Sequence, residues 1–336
     1  MVPEVLLVRG DRVESRHHIA YAIVDGDGTV VASSTDGEPV FIRSVVKPLI
    51  CILIVASGAA ERFGFTREEI ALIAGSHSGE PVQVSMVVQI LEKIGLKEEQ
   101  LRCGAHPPFH EASALALSEA GVAPTALHNN CSASHAGVLA LAVQRGYPIA
   151  GYGSLGHPAE AEILSACAAM FEVEPSSIVV AVDGCAMPTF GVPLAVAARF
   201  YARLAAPESL GRWGDAAHVV TGAMLEFPYL VAGTGRFDTT LMQAAHPSIV
   251  SKSGAEGVHA LAWMDGRWGM CTKVIDGADR AVAPFVVEAL RANGILNARQ
   301  LETLSAFHTP PIFNNAHEIV GNLEPVRRRT ADERQL

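Results

Sequence analysis

The sequence predicts an α+β fold in which strands from both ends of the chain close one antiparallel sheet and helices fill the middle. Three observations carry this reading. Segments 4–9, 17–25 and 28–34 are rich in Val, Ile and Tyr, as strands on a half-buried surface are. Segments 248–254, 256–264 and 267–275 repeat that pattern near the other end. Between them, apolar residues recur at helical spacing over 82–95, 111–121, 158–171, 191–206 and 212–226. Sheet-forming ends with helices inserted between them make a layered α+β arrangement.

Taken in order, Asp25-Gly26-Asp27-Gly28 is a tight-turn signal joining two of the first strands. After the Asp36-Gly37-Glu38-Pro39 break, a helix is expected from about Ser44, with Pro48 in its first turn, where a missing N–H costs little. Thr66-Arg67-Glu68-Glu69 reads as a capping box opening a short helix that gives way to the loop Gly75-Ser76-His77-Ser78-Gly79-Glu80-Pro81. The polar run His128 to His135 sits at the N-terminus of another helix, and Pro158 opens the next. The apolar run Ile178 to Val182 reads as a strand ending at Asp183-Gly184-Cys185. Met264-Asp265-Gly266-Arg267 is a hairpin turn, and a helix over 280–293 returns across the sheet. No repeat and no Gly/Ser/Pro-rich linker divides the chain, so residues 1–336 are expected to form one domain with a polar tail over about 322–336.

Composition narrows the function classes. With 336 residues, 49% hydrophobic and 18% charged, the chain can bury a large core and is not of disordered composition. The net charge of −10, with Arg327-Arg328-Arg329 as its one basic cluster, argues against nucleic acid as a partner. There is no signal-peptide pattern and no stretch of the ~18 apolar residues needed to span a bilayer, so a cytoplasmic protein without a membrane partner is expected. Six scattered cysteines do not form a secreted disulfide framework, and most are expected as reduced thiols. Gly233-Thr234-Gly235-Arg236 lacks a P-loop lysine and its spacing, so it is not read as a phosphate site.

Chemistry is signalled by Ser44 and Lys47. On a helix, residues three apart share a face, so the lysine can reach the serine hydroxyl, and a partly desolvated lysine can take its proton. Ser76-His77-Ser78 on a loop and Lys252-Ser253-Gly254 on a strand follow in chain order. Serine-x-x-lysine, a serine-containing second motif and a Lys-Thr-Gly-like third motif are the signature of serine β-lactamases and penicillin-binding proteins, although the separation of Ser44 from Ser76 is short for those enzymes.

Arg43-Ser44-Val45-Val46-Lys47-Pro48, Gly75 to Glu80, Asn129-Asn130-Cys131-Ser132, Val182-Asp183-Gly184-Cys185 and Lys252 to Gly257 together resemble the Rhizobium etli-type L-asparaginases. The resemblance runs from the opening strands to about residue 320. It implies a serine β-lactamase/glutaminase-like fold, hydrolysis of L-asparagine to L-aspartate and ammonia, and a homodimer. It also implies Ser44 as nucleophile candidate with Lys47 as its base, Ser76 paired with Lys252, and Arg43, Asp183, His77, Cys131 and Glu256 around the substrate. Cys131 and Cys185 match cysteines that hold zinc in that family together with a lysine three residues after the first, where this chain has Ser134. A hydroxyl is a poor zinc ligand, so the expectation is either no cofactor or Zn(2+) on the two cysteines, with His128 or His135 as replacement ligands. Rival readings are a glutaminase or β-lactam hydrolase of the same fold, and a non-catalytic asparagine sensor motivated by Ser134.

Overall fold

The computed structural model describes residues 3–326. It has eleven strands: β1 (Glu4–Arg9), β2 (Arg12–Val24), β3 (Val30–Ser33), β4 (Val40–Phe41), β5 (Val179–Val182), β6 (Pro188–Val192), β7 (Ile249–Gly254), β8 (Val258–Trp263), β9 (Trp268–Val274), β10 (Pro311–Phe313) and β11 (Ile319–Val326). Eight form an antiparallel sheet in the order β10-β11-β1-β2-β9-β8-β7, with β3 also paired to β2. The expected joining of the two chain ends is present: Ile19 to Val24 of β2 pair with Val274 to Gly269 of β9. The expectation of a single sheet is corrected, because β4, β6 and β5 make a second, three-stranded sheet. Segment 188–192 is all buried and flat in polarity, so its sequence carries no strand alternation and merges with the helical pattern that follows it. The helix expected over 191–206 accordingly begins only at Leu194.

The tail expected from residue 322 is likewise shortened, since Asn322 to Val326 pair with β1. The basic triplet Arg327–Arg329 lies outside the described residues. Among those described, no helix is long and apolar enough to cross a membrane.

Both faces of the larger sheet are covered. Helix Leu194–Leu204 lies across β9, β2 and β8 on one face. On the other, helices Phe237–Ala244 and Val282–Ala292 enclose a core of Val5, Ile19, Leu241, Ile249 and Val286. The remaining helices pack around Lys47–Ala56, whose residues Lys47 to Ile54 are all buried. A helix apolar all round needs neighbours on every side. Helices Arg67–Ala74, Ser132–Arg145, Pro158–Phe171 and Gly214–Glu226 supply them. The first of these opens with the expected capping box: Glu69 N–H donates to Thr66 Oγ1 at 3.3 Å and Thr66 N–H to Glu69 Oε2 at 2.7 Å.

Helix Leu194–Leu204 approaches β9 closely at Gly269, where a Cβ would lie 2.0 Å from the carbonyl oxygen of Ala198 and 2.2 Å from the nitrogen of Ala202. Both are backbone atoms, so a methyl group could be fitted only by prying the helix off the sheet. Overpacking of this kind costs roughly 1–3 kcal/mol. Gly269→Ala is therefore expected to lower the stability measured by urea denaturation by at least ~2 kcal/mol, with an unchanged midpoint showing that the layers are not packed this tightly.

Candidate active site

The segment expected to be one helix from Ser44 is two elements. Arg43–Val46 is a 3-10 turn, and the α-helix starts at Lys47, with Pro48 inside its first turn. Lys47 Nζ donates to Ser76 Oγ at 2.9 Å and contacts Cys131 Sγ at 3.2 Å. Lys252 Nζ lies 3.0 Å from the same Ser76 oxygen and donates to the Ser253 carbonyl at 2.6 Å. Two lysines more than 200 residues apart in sequence thus converge on one hydroxyl. Ser44 makes no side-chain hydrogen bond among the described residues; it lines a small cavity with Arg43, Lys47, Cys131, Asp183 and Cys185. The expected Ser76–Lys252 contact is present, while the expected Ser44–Lys47 contact is replaced by one between Lys47 and Ser76.

The supporting loops explain the convergence. Gly75 packs so closely on Val231 that a Cβ would sit 2.5 Å from its carbonyl oxygen, and Ser76 N–H donates to that oxygen at 2.8 Å. Gly233, at φ +123°, allows the neighbouring loop to lie against Ser78 and Glu80. Glu80 then accepts from both the N–H and the hydroxyl of Thr234 at 2.8 Å. On the strand side, a Cβ on Gly254 would lie 3.2 Å from the Ile42 carbonyl and 3.3 Å from Ser44 N. Its absence lets β7 sit against the turn carrying Ser44.

Arg43 and Asp183 form the wall of the cavity. Arg43 holds a left-handed backbone, φ 51°, which costs a non-glycine residue about 1 kcal/mol or more. A two-pronged ion pair, Nε to Oδ2 at 3.0 Å and Nη2 to Oδ1 at 2.5 Å, fixes its side chain there. That hydrogen bond raises the guanidinium pKa further, outweighing burial. Glu256 is exposed on the left-handed turn after β7, φ 63°, and its charge also acts on Arg43. His77 is fully buried: its Nδ1 accepts from Gly79 N–H at 3.1 Å, so Nε2 carries the hydrogen that faces Ser132 Oγ at 2.9 Å. Burial, helped by the charge of Lys47, pushes its pKa down to about 3, and it stands as a neutral brace inside the loop.

Cys131 and Cys185 face each other across the cavity wall. The hydrogen bond from Cys185 lowers the Cys131 pKa against the opposing effect of burial, and Lys47 lowers it further. The partner thiol moves up for the complementary reason. Ser134 lines the same cavity, so the residues for a zinc ion can be tested directly. His135 uses Nδ1 with Tyr152 Oη at 2.5 Å, and its buried Nε2 has no hydrogen-bond partner. His128 Nδ1 faces Thr125, accepting its N–H at 3.0 Å. No group of three or more His, Cys, Asp and Glu side chains is gathered to hold a metal among the described residues. His135 lines the cavity too, but its ring is not gathered with both cysteines; two sulfurs and a hydroxyl are not a tetrahedral zinc set, and the residues present do not fit the ion.

Sequence reasoning missed what stands behind Lys252. Asp238, in the first turn of helix Phe237–Ala244, is buried against Ser251, Ser253 and His259. An aspartate in a first helical turn is so common a stabilising feature that nothing in the sequence marks this one. Arg236 carries no signal in its Gly-rich loop, yet its guanidinium lies 3.4 Å from Ser78 Oγ and over the ring of Phe109.

The L-asparaginase II family model matches residues 5–325. The chain belongs to the L-asparaginase II family. That family places it with asparaginase-type amidohydrolases. No curated protein matches it closely enough to count as a relative. Among solved structures, Mglu in its native form aligns at 16% identity over 84% of this chain and 66% of that chain, with a TM-score of 0.36. The native form in 4.3 M NaCl gives 16% identity, coverages of 84% and 60% and a TM-score of 0.34. The glutamate form gives 16%, 86% and 61% with a TM-score of 0.33. This family member therefore spans no more than 66% of the length of those chains.

Burial, and then the neighbouring charge of Lys47, push the Lys252 pKa down to about 7. Unfolding returns it to the ordinary lysine value near ~10.4. Between those values the unfolded chain binds more protons, so stability contributed by this group rises with pH from about 7. Lys252→Met, a neutral side chain of similar length, is expected to flatten the rise in unfolding free energy between pH 7 and 10, measured by denaturant titration at each pH. A slope identical to that of the parent protein refutes the assignment. Because the zinc donors are incomplete, elemental analysis of the purified protein is expected to show well under one metal per chain, and a chelator to leave its melting temperature unmoved.

Proposed function

We propose that this protein is an L-asparaginase, hydrolysing L-asparagine to L-aspartate and ammonia on a serine β-lactamase-like scaffold. The observation that carries the reading is the meeting of Lys47 and Lys252 at Ser76, beside a cavity into which Ser44 opens. Amide hydrolysis needs an activated hydroxyl and a proton for the departing nitrogen. The family supports the amide bond as target.

Ser44 Oγ attacks the side-chain carbonyl carbon, and the carbonyl oxygen takes up the negative charge. Lys47 Nζ first gives a proton to Ser76 Oγ, which passes its own to Lys252 Nζ, and the Lys47 amine so freed takes the Ser44 hydroxyl proton across the cavity that both line. The pKa of about 7 makes Lys252 the acceptor of the relay near neutrality. When the carbon–nitrogen bond breaks, the same chain returns the proton to the nitrogen, which leaves as ammonia. Water then attacks the acyl-serine by the same proton path and restores Ser44. Arg43, held by Asp183 at the cavity wall, supplies a cation for a substrate carboxylate.

The test is ammonia release from L-asparagine. Ser44→Ala is expected to lower kcat by at least ~1000-fold and to form no covalent aspartyl adduct by intact mass. Ser76→Ala is expected to lower kcat while still forming the adduct, because the nucleophile remains. An adduct in Ser44→Ala that disappears in Ser76→Ala would move the nucleophile to Ser76. The acid limb of the kcat profile is expected near pH 7. Parallel assays with L-glutamine and a chromogenic β-lactam decide the substrate class, and tight asparagine binding without turnover would make the protein a sensor.

A further inference from the structure

Lys252 sits on β7, the edge strand of the larger sheet, so one row of its backbone N–H groups has no strand partner. A catalytic lysine on such a strand needs its register fixed from outside. Helix Phe237–Ala244 packs beside β7, and its second residue, Asp238, reaches the strand. Asp238 Oδ2 accepts the Ser253 N–H at 2.8 Å, and Oδ1 accepts the Ser251 hydroxyl at 2.6 Å. These are the residues on either side of Lys252. From β8, whose His259 lies opposite Ser253, the imidazole Nε2 lies 3.2 Å from the same Oδ1 and 2.8 Å from Ser251 Oγ.

The carboxylate is 2% exposed, and Ser251 and His259 are fully buried. An ionised buried carboxylate is costly without compensation. Here two hydrogen bonds, the imidazole and the positive end of the helix meet it. They hold its pKa low although burial alone would raise it.

We propose that Asp238 is a positioning residue for Lys252, gripping β7 on both sides of the lysine and holding Nζ against Ser76 Oγ. The inference rests on the proton relay proposed above and adds a residue to it. Asp238 touches no reacting atom; it acts through strand register and charge. The charged groups acting on Lys252 are Lys47 and Arg236, which disfavour its proton, and Asp238 and Cys131, which favour it. His259 stands on the far side of Asp238. Removing the Asp238 charge therefore shifts proton affinity in one direction only, downward.

Asp238→Asn keeps the size and can keep the Ser253 bond. It is expected to lower kcat at least ~10-fold with KM little changed and to move the acid limb down by about one pH unit. Asp238→Glu is expected to bring the limb back toward its original pH while kcat stays low. A kcat profile for Asp238→Asn superimposable on that of the parent, with only a lower melting temperature, overturns the proposal. Should Asp238→Asn fail to fold, Ser251→Ala removes one grip and keeps the charge: a fall in kcat with an unmoved limb is expected, and an unchanged kcat overturns the proposal. The pH dependence of unfolding separates this inference from the choice of reaction. Even if no amide is hydrolysed, the rise in stability that begins near pH 7 in the parent is expected to begin lower in Asp238→Asn. An identical onset refutes the role of Asp238 and leaves the amidohydrolase reading untouched.

Discussion

Two buried lysine nitrogens share one serine oxygen, and the rest of the site is arranged around that constraint. Both lie about 3 Å from Ser76 Oγ. Two full charges no more than ~6 Å apart repel by about 3 kcal/mol at an effective dielectric of ~20. That is a large part of the whole stability of a folded chain. The economical arrangement keeps one proton fewer than the two amines can hold. Lys252 is the group that gives way: it is 1% exposed, and burial is the first cause of its lowered pKa. Lys47 instead has the Cys131 sulfur at 3.2 Å. The result is a hydroxyl between a donor and an acceptor, which is what a proton relay requires.

Holding this arrangement needs rigid support, because neither lysine would choose it in water. The support is mostly backbone. Gly75, Gly233 and Gly254 are places where a Cβ would meet backbone or a packed side chain within 3.3 Å. Each permits one motif to lie directly against another. Arg43 accepts a left-handed backbone and is locked by Asp183, while Asp238 locks the edge strand. These strained and buried polar elements support Ser76 and its lysines, and the buried helix Lys47–Ala56 anchors them to the core.

Much of the fold was legible because its signals are local. Helix Pro158–Phe171 and strand Glu4–Arg9 begin and end where their patterns do. The capping box at Thr66 declares itself in four residues. What was not legible depends on tertiary context. Strand β6 is buried on both faces, so no alternation survives to distinguish it from the helix that follows. The pairing of Lys47 was not legible because i, i+3 spacing shows which side chains share a face, whereas the partner of its Nζ, Ser76, comes from a loop 29 residues further on. The importance of Asp238 could not be read at all: it depends on β7 being an edge strand, a property of sheet order and not of any segment.

The serine at position 134 takes on meaning from this charge balance. A lysine there would place another cation on the first turn of the helix that Cys131 caps, in the cavity shared with Cys185. Cationic neighbours stabilise a thiolate, and thiolates are what a zinc ion needs. With serine in its place, Lys47 is the one lysine or arginine in hydrogen-bond contact with the Cys131 sulfur among the described residues. Ser134 therefore offers neither a good zinc ligand nor a charge. The Cys131 pKa is lowered all the same, by the hydrogen bond from Cys185 and by Lys47 against burial, so its sulfur offsets the charge of Lys47 beside Ser76.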